Sequence, residues 1–298
     1  MKEPSFLHSI YFADTYPEEW AAVQELFPES LRSDDPANLP AGTMVIPRYR
    51  ATPFGADLER EVAARGSQLI NTHAQHLALD DIFAWTELLG DMTAPSYRIA
   101  DMAAVPEGRF FVKGQVTSLK NHGPIDVFAD SKTAARALAD KLLGHPLMTN
   151  QIPVIRPVQD YLRLGTSEQG LPIFHEQRVF TYRRQVLGTG FYWAGHTGAG
   201  SPPALDDTFL RAVDTALERL DGIADFLVLD MAQYSDGRWG VVELNDACQS
   251  GFPVSIEPAQ VFGNLLAAIA QTPIPVTPRG DPASARARGA ESRQDSPG

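Results

Sequence analysis

The first 95 residues alternate short apolar runs with segments in which apolar residues recur at helical spacing. This pattern predicts, in chain order, a helix at Glu18–Phe27, a strand at Thr43–Pro47, a helix at Ala56–Arg65, a strand at Leu69–Ile70 and a helix at Asp80–Leu89. Gly66 and Gly90 follow two of these helices at the position where helices commonly end. Alternating helices and strands predict a doubly wound α/β layer for residues 1–95.

From Ser96 onward the pattern changes to strand pairs separated by a few helices. Strands are predicted at Arg109–Val112, Ile152–Tyr161, Pro172–Tyr182 and Gln185–Trp193, and helices at Ser131–Leu143 and Asp206–Leu220. Strands with helices packed on them predict an α+β second domain, residues 96–275. Residues 276–298 are rich in Pro, Gly, Ala, Ser, Arg and Asp, which predicts a disordered tail.

The segment Phe226–Asp246 consists of two apolar runs joined by Asp236 and Gly237. An Asp-Gly pair in this setting is the strongest short-range signal of a β-hairpin, and it favours a type I′ turn with positive φ at both residues. Counting back from such a turn predicts the cross-strand pairs Tyr234 with Trp239, Ala232 with Val241, and Asp230 with Glu243.

The predicted hairpin gathers three oxygen-bearing side chains. Asp230 lies opposite Glu243, and Asn245 follows Glu243 on the same face because side chains alternate along a strand. Like charges directly opposite each other cost roughly 0.2–1 kcal/mol, so the pairing favours either a cation between them or open solvent. Oxygen ligands of this kind are typical of magnesium sites. The hairpin therefore predicts a metal site formed by Asp230, Glu243 and Asn245.

Composition narrows the classes of function. The chain has 298 residues with a formal net charge of -12, which argues against broad affinity for nucleic acid or anionic membrane. A single cysteine, Cys248, excludes an internal disulfide and a cysteine-based zinc cluster. The amino-terminal residues lack a signal-peptide pattern, and no apolar run approaches the roughly 20 residues that cross a bilayer. A cytoplasmic location is therefore expected.

Two lysines are candidate phosphate ligands. Lys113 ends an apolar strand, and Lys120 follows in a loop bounded by Gly114 and Gly123. An ammonium group binds phosphate well, and glycine lets backbone N–H groups approach an anion. A solvated lysine at a strand end is the alternative interpretation. The chain contains neither a Walker A sequence nor a dinucleotide-binding fingerprint.

Several other polar residues have both a functional and a structural interpretation. Glu176 and Arg178 share one face of a strand, where they form either a surface ion pair or a site that places a guanidinium near phosphate. Arg48 and Arg50 follow a predicted strand where open α/β sheets usually bind ligands, unless they are simply solvated. Cys248 has no neighbouring histidine in sequence, which favours a space-filling role over a nucleophilic one.

Two more segments are ambiguous on sequence alone. His73 and His76 are spaced three apart without the HExxH pattern, which disfavours a metal role. The aromatic and glycine-rich segment Phe191–Ser201 is interpreted either as a mobile loop near an acceptor substrate or as a solvent loop.

Taken together, the motifs FFVK with a second lysine, HEQRVF, and LVLDMAQYSDGRWGVVELND resemble the ATP-grasp superfamily in order and spacing. The resemblance covers most of residues 96–275, and the preceding α/β unit resembles the small domain that commonly precedes an ATP-grasp domain. The nearest resemblance is to a divergent branch of small bacterial and phage ATP-grasp proteins. That branch includes a eukaryotic cell-division-cycle protein that helps assemble a translation initiation factor.

The resemblance implies roles for individual residues. Asp230, Glu243 and Asn245 would hold magnesium ions that bridge the phosphates of ATP. Lys113 and Lys120 would contact the nucleotide, Lys120 also in a catalytic role, and catalytic Arg178 would lie near the γ-phosphate and the substrate carboxylate. The remaining residues implied in cofactor binding are Arg156, Val158, Gln159, Asp160 and Glu176. The hinge sequence RPVQDY, 156–161, departs from the glutamate-led hinge usual in the superfamily.

The resemblance also implies an activity. The expected function is an ATP-dependent carboxylate–amine ligase that acts through an acylphosphate and releases ADP and phosphate. Its substrates would be a small-molecule, peptide or protein carboxylate and an amine. The alternative is a non-ligating ATP-binding assembly factor or chaperone for a protein partner. A hydrolase or oxidoreductase built on the first domain lacks a nucleophile constellation and a dinucleotide fingerprint.

Overall fold

The computed structural model describes residues 4–33, 35–116, 127–148, 151–168 and 170–271. Its amino-terminal unit is built on four parallel strands in the order β2-β1-β3-β4. Its elements are β1 (Ser5–His8), α1 (Ile10–Thr15), α2 (Pro17–Leu26), β2 (Leu31–Arg32), β3 (Met44–Arg48), α3 (Gly55–Ala64), β4 (Gln68–Leu69), α4 (His73–Asp80) and α5 (Ile82–Leu89). The unit is the predicted α/β layer.

The rest of the described chain forms antiparallel sheets with helices packed on them. Its elements are β5 (Phe110–Gly114), β6 (Phe128–Ala129), α6 (Lys132–Leu143), β7 (Pro153–Pro157), β8 (Arg163–Thr166), β9 (Pro172–Phe174), β10 (Glu176–Tyr182), β11 (Gln185–Phe191), α7 (Asp207–Arg219), β12 (Phe226–Gln233), β13 (Trp239–Asp246) and α8 (Pro258–Gln271). The strand orders are β6-β5-β7, β8-β9 and β11-β10-β12-β13. This arrangement is the predicted α+β region.

The four-stranded sheet β11-β10-β12-β13 separates two hydrophobic cores. Phe180, Phe226 and Val228 pack on one side with helix α8 and with Phe6 of the first unit. The other core contains Val179, Leu229, Met231 and Val241 with helices α5 and α7. Both cores include side chains from the amino-terminal unit, so the packing joins that unit to the carboxyl-terminal sheet.

The β12–β13 hairpin corrects the predicted turn. Tyr234 N donates to Arg238 O at 2.7 Å and Gly237 N donates to Tyr234 O at 3.0 Å. Gly237 has a φ of +90°, whereas Asp236 is not among the residues with positive φ. These contacts define a three-residue loop with a type I turn and a glycine bulge. The predicted type I′ turn is therefore wrong.

The register of the hairpin shifts once along its length. Near the turn, Gln233 pairs with Trp239 and Ala232 with Gly240, so the predicted pairs of Tyr234 with Trp239 and Ala232 with Val241 are wrong. A bulge between Met231 and Asp230 places Val242 as an extra residue in β13. Beyond the bulge, Asp230 pairs with Glu243 as predicted. The bulge compensates for the one-residue error made at the turn.

Two-residue turn geometry occurs instead in the neighbouring hairpin. Arg183 and Arg184 have φ values of +46° and +68°, and Tyr182 pairs with Gln185 across them. Arg183 N donates to Asp225 O at 2.7 Å, and its Nε donates to the Asp225 carboxylate at 2.9 Å. These contacts hold a non-glycine residue in a conformation that glycine usually supplies.

Other predicted elements differ in their bounds. The helix predicted at Asp80–Leu89 begins at Ile82, and a separate helix, α4, precedes it from His73. Asp81 separates α4 from α5, because its side chain accepts a hydrogen bond from Phe83 N and caps the amino terminus of α5. The strand predicted at Pro172–Tyr182 divides at His175 into β9 and β10. In the described part of the chain, no helix is long and apolar enough to cross a membrane.

The predicted domain boundaries stay predictions. The segment 93–109 links the first unit to β5, and the boundary near residue 95 falls within it. The predicted tail, residues 276–298, lies outside the described residues.

Candidate active site

Three charged side chains lie in one row across neighbouring strands. Arg178 of β10 pairs with Asp230 of β12, which pairs with Glu243 of β13. Cross-strand partners project from the same face of a sheet, so the two acidic side chains share a face. Arg178 Nε and Nη2 donate to the two carboxylate oxygens of Asp230 at 2.8 and 2.7 Å. Burial opposes the charge of Arg178, but Asp230 outweighs it and raises the pKa of the guanidinium.

Two further polar groups complete the row. Asn245 Nδ2 donates to Asp230 Oδ2 at 3.1 Å, so its amide lies beside the carboxylate as predicted from strand alternation. Lys113 approaches from the facing sheet, in β5, and its Nζ donates to Glu243 Oε1. Lys113 is 4% exposed and Glu243 27% exposed, so the ammonium is enclosed while the carboxylate reaches solvent. The sequence predicted these residues as one site, and the structure brings them together.

A cleft of about 140 Å³ lies beside this row, between β5 and β7 on one side and β10 and β13 on the other. Its walls are mainly apolar and aromatic, and they include Phe111, Val127, Phe128, Tyr161, Leu171, Phe174, Tyr192 and Trp193. Lys113 and Glu243 lie in its lining, where the apolar walls meet the charged row. An apolar slot with a charged end suits a ligand that is flat at one end and anionic at the other.

Most of the residues predicted to bind a cofactor line the cleft, and the others lie elsewhere or outside the described residues. Five of them line the cleft: Lys113, Arg156, Val158, Gln159 and Glu176. Asp160 lies between two lining residues, and its carboxylate accepts from Ser235 Oγ while its carbonyl accepts from Ser235 N at 2.9 Å. Asp160 therefore supports the β12–β13 turn, and its predicted contact with a cofactor stays a prediction. Lys120 lies outside the described residues.

Arg156 reaches the cleft, but its guanidinium is engaged with backbone and linker groups. Nη1 donates to Val242 O at 2.5 Å, and Nη2 donates to Thr93 Oγ1 at 2.7 Å and to Ala94 O at 3.0 Å. Burial lowers the pKa of this arginine. The terminal nitrogens of Arg156 therefore hold neighbouring segments together, and its contribution to the cleft wall comes from the rest of the residue.

The sequence interpretation did not identify most of the aromatic wall. Phe111 lies two residues before Lys113 in β5, so strand alternation already placed it on the same face. Tyr161 and Tyr234 pack at 4.9 Å between ring centroids, a contact between residues 73 positions apart. Phe111 and the aromatic segment that includes Tyr192 and Trp193 had a local signal in the sequence, whereas the tyrosine contact depends on the tertiary fold.

The segment Phe191–Ser201 contributes to the cleft through its first residues. Trp193 Nε1 donates to Glu176 Oε2 at 2.8 Å, and the Trp193 side chain is buried. Gly198 has a φ of +84°, and a Cβ added there would lie 2.1 Å from Thr166 O in β8. The segment therefore packs closely against β8, while residues 195–198 remain exposed.

A second cluster lies just beyond the row, where His76 of α4 donates from Nδ1 to Asp246 Oδ2. The ligand atoms of His76, Asp246 and Cys248 lie within 4.8 Å of one another. Burial lowers the pKa of His76, but Asp246 outweighs it and raises that pKa. Asp246 Oδ1 accepts from Cys248 N at 2.9 Å and from Asn71 Nδ2 at 3.2 Å, so hydrogen bonds account for both carboxylate oxygens. Burial raises the pKa of the Cys248 thiol, which fits the predicted space-filling role.

Arg48 is not a ligand-binding residue of the kind that the sequence suggested. Its Nε and Nη2 donate to Glu19 at 2.6 and 2.8 Å, and it also donates to Ala247 O and Ser250 O at 2.7 and 3.0 Å. The side chain is 1% exposed. Arg50 is partly exposed and pairs with Asp80 at 3.3 Å. Arg48 therefore fixes the segment after β13 against the first unit.

Comparison with known proteins agrees with this architecture. The protein-family model for the ATP-grasp domain, R2K clade family 3, matches residues 153–266 of the sequence. A RimK-domain ATP-grasp protein from Sphaerobacter thermophilus superposes with a TM-score of 0.59 at 16% identity, covering 90% of this chain and 100% of its own. The fold is an ATP-grasp fold. The predicted resemblance to the ATP-grasp superfamily and the predicted fold class are supported by both comparisons.

Two other solved proteins share the ATP-grasp fold. D-cycloserine synthetase has a TM-score of 0.57 at 13% identity, covering 89% of this chain and 99% of its own. A D-alanine–D-alanine ligase from Bacillus anthracis, solved with ATP, has a TM-score of 0.54 at 10% identity, covering 91% of this chain and 99% of its own. No protein with curated annotation matches the sequence.

Proposed function

We propose that the protein is an ATP-dependent carboxylate–amine ligase that acts through an acylphosphate. The observation that carries the proposal is the row of Arg178, Asp230 and Glu243, joined by Asn245 and Lys113 at the charged end of an apolar cleft. The ATP-grasp fold supports an ATP-dependent ligase, because the solved proteins that share it include amino-acid and peptide ligases. The particular reaction is our proposal.

ATP is proposed to bind in the cleft with its base between the apolar walls. Val158 and Gln159 lie at the hinge between β7 and β8, and Glu176 forms part of the opposite wall. Lys113 lies where the phosphates would reach the charged row, and an ammonium group suits that position. Lys120 keeps its proposed phosphate and catalytic roles, but it lies outside the described residues.

The donor set beside the cleft fits magnesium. Two carboxylates, Asp230 and Glu243, are cross-strand partners, and Asn245 adds an amide group on the same face. Magnesium prefers a few oxygen ligands of this kind together with waters and substrate phosphates. When bound, the ion would supply charge neutralisation at the phosphates. Asp230, Glu243 and Asn245 are the residues proposed to hold it.

The proposed reaction needs no nucleophile from the protein. An oxygen of the substrate carboxylate attacks the γ-phosphorus, the bond from that phosphorus to the bridging oxygen of ADP breaks, and an acylphosphate forms. The amine then attacks the acyl carbon, loses a proton, and phosphate leaves. Arg178 is held rigidly by Asp230 and by Gly251 O at 2.8 Å, so its fixed positive charge would stabilise the transferring group without reorganisation.

The test is ADP formation with pooled amino acids and peptides, supplied as carboxylates, amines or both. The proposal expects ADP release that requires both kinds of substrate, with an amide product found by mass spectrometry. ATP binding without turnover across a broad panel would overturn it and favour the non-ligating assembly factor. The relation to the bacterial and phage branch, the cytoplasmic location and the small-molecule or peptide substrates are parts of this proposal.

A further inference from the structure

The proposed metal-binding side chains Glu243 and Asn245 lie on an outer strand of their sheet. Strand β13 is the last member of the order β11-β10-β12-β13, so a full strand ladder holds it on one side only, and on the other side a single bridge joins Val241 to Thr93. The bulge at Val242 interrupts that pairing directly before Glu243. An edge strand with a bulge has backbone groups that the ladder does not satisfy. The geometry of Glu243 and Asn245 therefore depends on contacts from outside the sheet.

The first external contact holds the bulge from the linker. Thr93 Oγ1 donates to Val241 O at 2.8 Å, and Arg156 Nη1 donates to Val242 O at 2.5 Å. Arg156 also donates to Thr93 Oγ1 at 2.7 Å and to Ala94 O at 3.0 Å. The Thr93 hydroxyl thus accepts a hydrogen bond from Arg156 and donates one to Val241 O. Together, Thr93 and Arg156 bind the carbonyl groups of Val241 and Val242.

The second external contact holds the other end of the same segment. Asp246 directly follows Asn245, and its buried carboxylate accepts from His76 Nδ1 and from Asn71 Nδ2, the latter at 3.2 Å. The Asn71 amide also donates to Phe226 O at 2.7 Å and accepts from Phe226 N at 2.9 Å. The first unit therefore joins the end of β13 to the start of β12.

We propose that Thr93 and His76 are positioning residues that set the geometry of Glu243 and Asn245 for the metal ion. The Thr93 contact lies two residues before the Glu243–Asn245 stretch and the His76 contact lies immediately after it, and they come from the linker and from the first unit. Loss of the Thr93 or the His76 side-chain contact weakens the hold on one end of that stretch, where Arg156 and Asn71 keep their own hydrogen bonds, while strand pairing on the β12 side remains. The inference rests on the proposed magnesium–ATP site. It implies that contacts from the amino-terminal unit help to orient the side chains that bind the metal ion.

A positioning role and a purely structural role differ in one measurable quantity. A structural role lowers the stability of the fold and affects ATP binding equally with and without magnesium. A positioning role changes the gain in ATP affinity that magnesium provides, because it alters only the ligand geometry. The ratio of the dissociation constants for ATP in EDTA and in magnesium isolates this gain.

The experiment measures that ratio by calorimetry for His76→Gln and Thr93→Val in the full chain. Removing a group that orients a metal ligand typically costs 10-fold or more in metal affinity, so the ratio should fall about 10-fold in each variant. The matched controls are His73→Gln in the same helix and Thr86→Val, whose hydroxyl donates within α5 to Ile82 O at 2.7 Å. Both controls should keep the wild-type ratio.

The outcomes separate the two proposals. A wild-type protein whose ATP affinity does not respond to magnesium refutes the proposed site, and the inference fails with it. A wild-type response that both variants retain refutes the positioning role and leaves the proposed function standing. If His76→Gln does not fold, Thr93→Val decides between the two roles, because this substitution replaces the hydroxyl with a methyl group of similar size. An unchanged ratio in a folded Thr93→Val protein then overturns the proposal.

Discussion

Two arginine–carboxylate pairs, Arg48 with Glu19 and Arg178 with Asp230, have the same two-pronged hydrogen bonding but different surroundings. Arg48 and Glu19 are 1% and 2% exposed, and Arg48 also donates to the carbonyls of Ala247 and Ser250 and lies 5.0 Å from the centroid of the Phe12 ring. Arg178 is 12% exposed, stacks on Tyr192 at 4.7 Å, and belongs to the row that includes Glu243. The first pair is sealed between structural units, whereas the second lies beside a cleft.

The difference teaches that hydrogen-bond geometry alone does not distinguish a structural pair from a functional one. Both pairs are strong because two parallel N–H groups meet one carboxylate. The two pairs differ in what surrounds the carboxylate. Within the part of the chain that the structure describes, Glu19 hydrogen-bonds with His8 and Arg48, whereas Asp230 accepts from an amide and faces a second acidic residue across the strand. Substitutions at the two carboxylates should therefore affect different properties.

The largest expected effect is the loss of stability from Glu19→Gln. This change leaves Arg48 buried without its counter-charge, and breaking a buried pair typically costs about 3–5 kcal/mol. The free energy of unfolding, measured by urea denaturation, should fall by that amount. Glu25→Gln in the same helix is the matched control, because Glu25 is exposed and should change little. An equal loss in both variants would contradict a special role for the buried pair.

The next effect is the loss of turnover from Asp230→Asn. The variant keeps the side-chain shape but removes the charge that faces Arg178 and the proposed metal site. Removing one preorganised electrostatic contact typically costs about 10²–10³ in rate. ADP formation under conditions where the wild type turns over should fall by that factor. Asp225→Asn at the start of β12, which loses the partly exposed Arg183 pair, should retain turnover, and equal losses would refute the assignment.

A smaller effect is the pH dependence of the Glu19 contribution. Burial alone would raise the pKa of Glu19, but Arg48 and His8 outweigh it and hold the pKa at about 2, below the usual 4.5. A depressed folded pKa stabilises the fold above the unfolded value, and this stability is lost as pH falls toward the folded value. The stability gap between wild type and Glu19→Gln should be constant above pH 4.5 and narrow from there toward pH 2. A gap that widens in acid would contradict this sign.

The smallest effect is expected from Arg50→Ala. Arg50 pairs with Asp80 at 3.3 Å and is 39% exposed, so solvent screens the interaction. Surface pairs of this kind contribute about 0–1 kcal/mol. Thermal unfolding and ATP affinity should both stay close to wild type. A marked loss of ATP affinity would restore the ligand-binding interpretation of this arginine.

The sequence predicted the acidic row through local rules, but one of the rules was misapplied. Strand alternation placed Asn245 beside Glu243, and the pairing of Glu243 with Asp230 agrees with the structure. The assumed turn was wrong by one residue, and the bulge at Val242 restored the register. A bulge depends on contacts such as Arg156 to Val242 O, which join residues 86 positions apart. Short-range signals contain no information about such contacts.

The same limit explains the misinterpretation of Arg48. Its partner Glu19 lies 29 positions away and the carbonyl of Ala247 lies 199 positions away. Arg48 was expected just past a strand, at the end of the sheet where ligands usually bind, and it is the last residue of β3. The groups that bind Arg48 there are carbonyls of the segment after β13. No local sequence pattern specifies that this segment packs against the first unit. The ATP-grasp fold was predicted from a resemblance to a known superfamily, which short motifs and their order along the chain carry.

The contact between Lys113 and Glu243 gives one ammonium group opposite effects on two ligands. Without nucleotide, Lys113 acts as the counter-ion of Glu243 and so competes with any bare divalent cation for that carboxylate. With nucleotide, the same charge favours the phosphates. Lys113→Met should therefore weaken binding of ATP yet strengthen binding of free Mn²⁺, measured by electron paramagnetic resonance. Weaker binding of both ligands would show that the lysine does not compete with the metal ion.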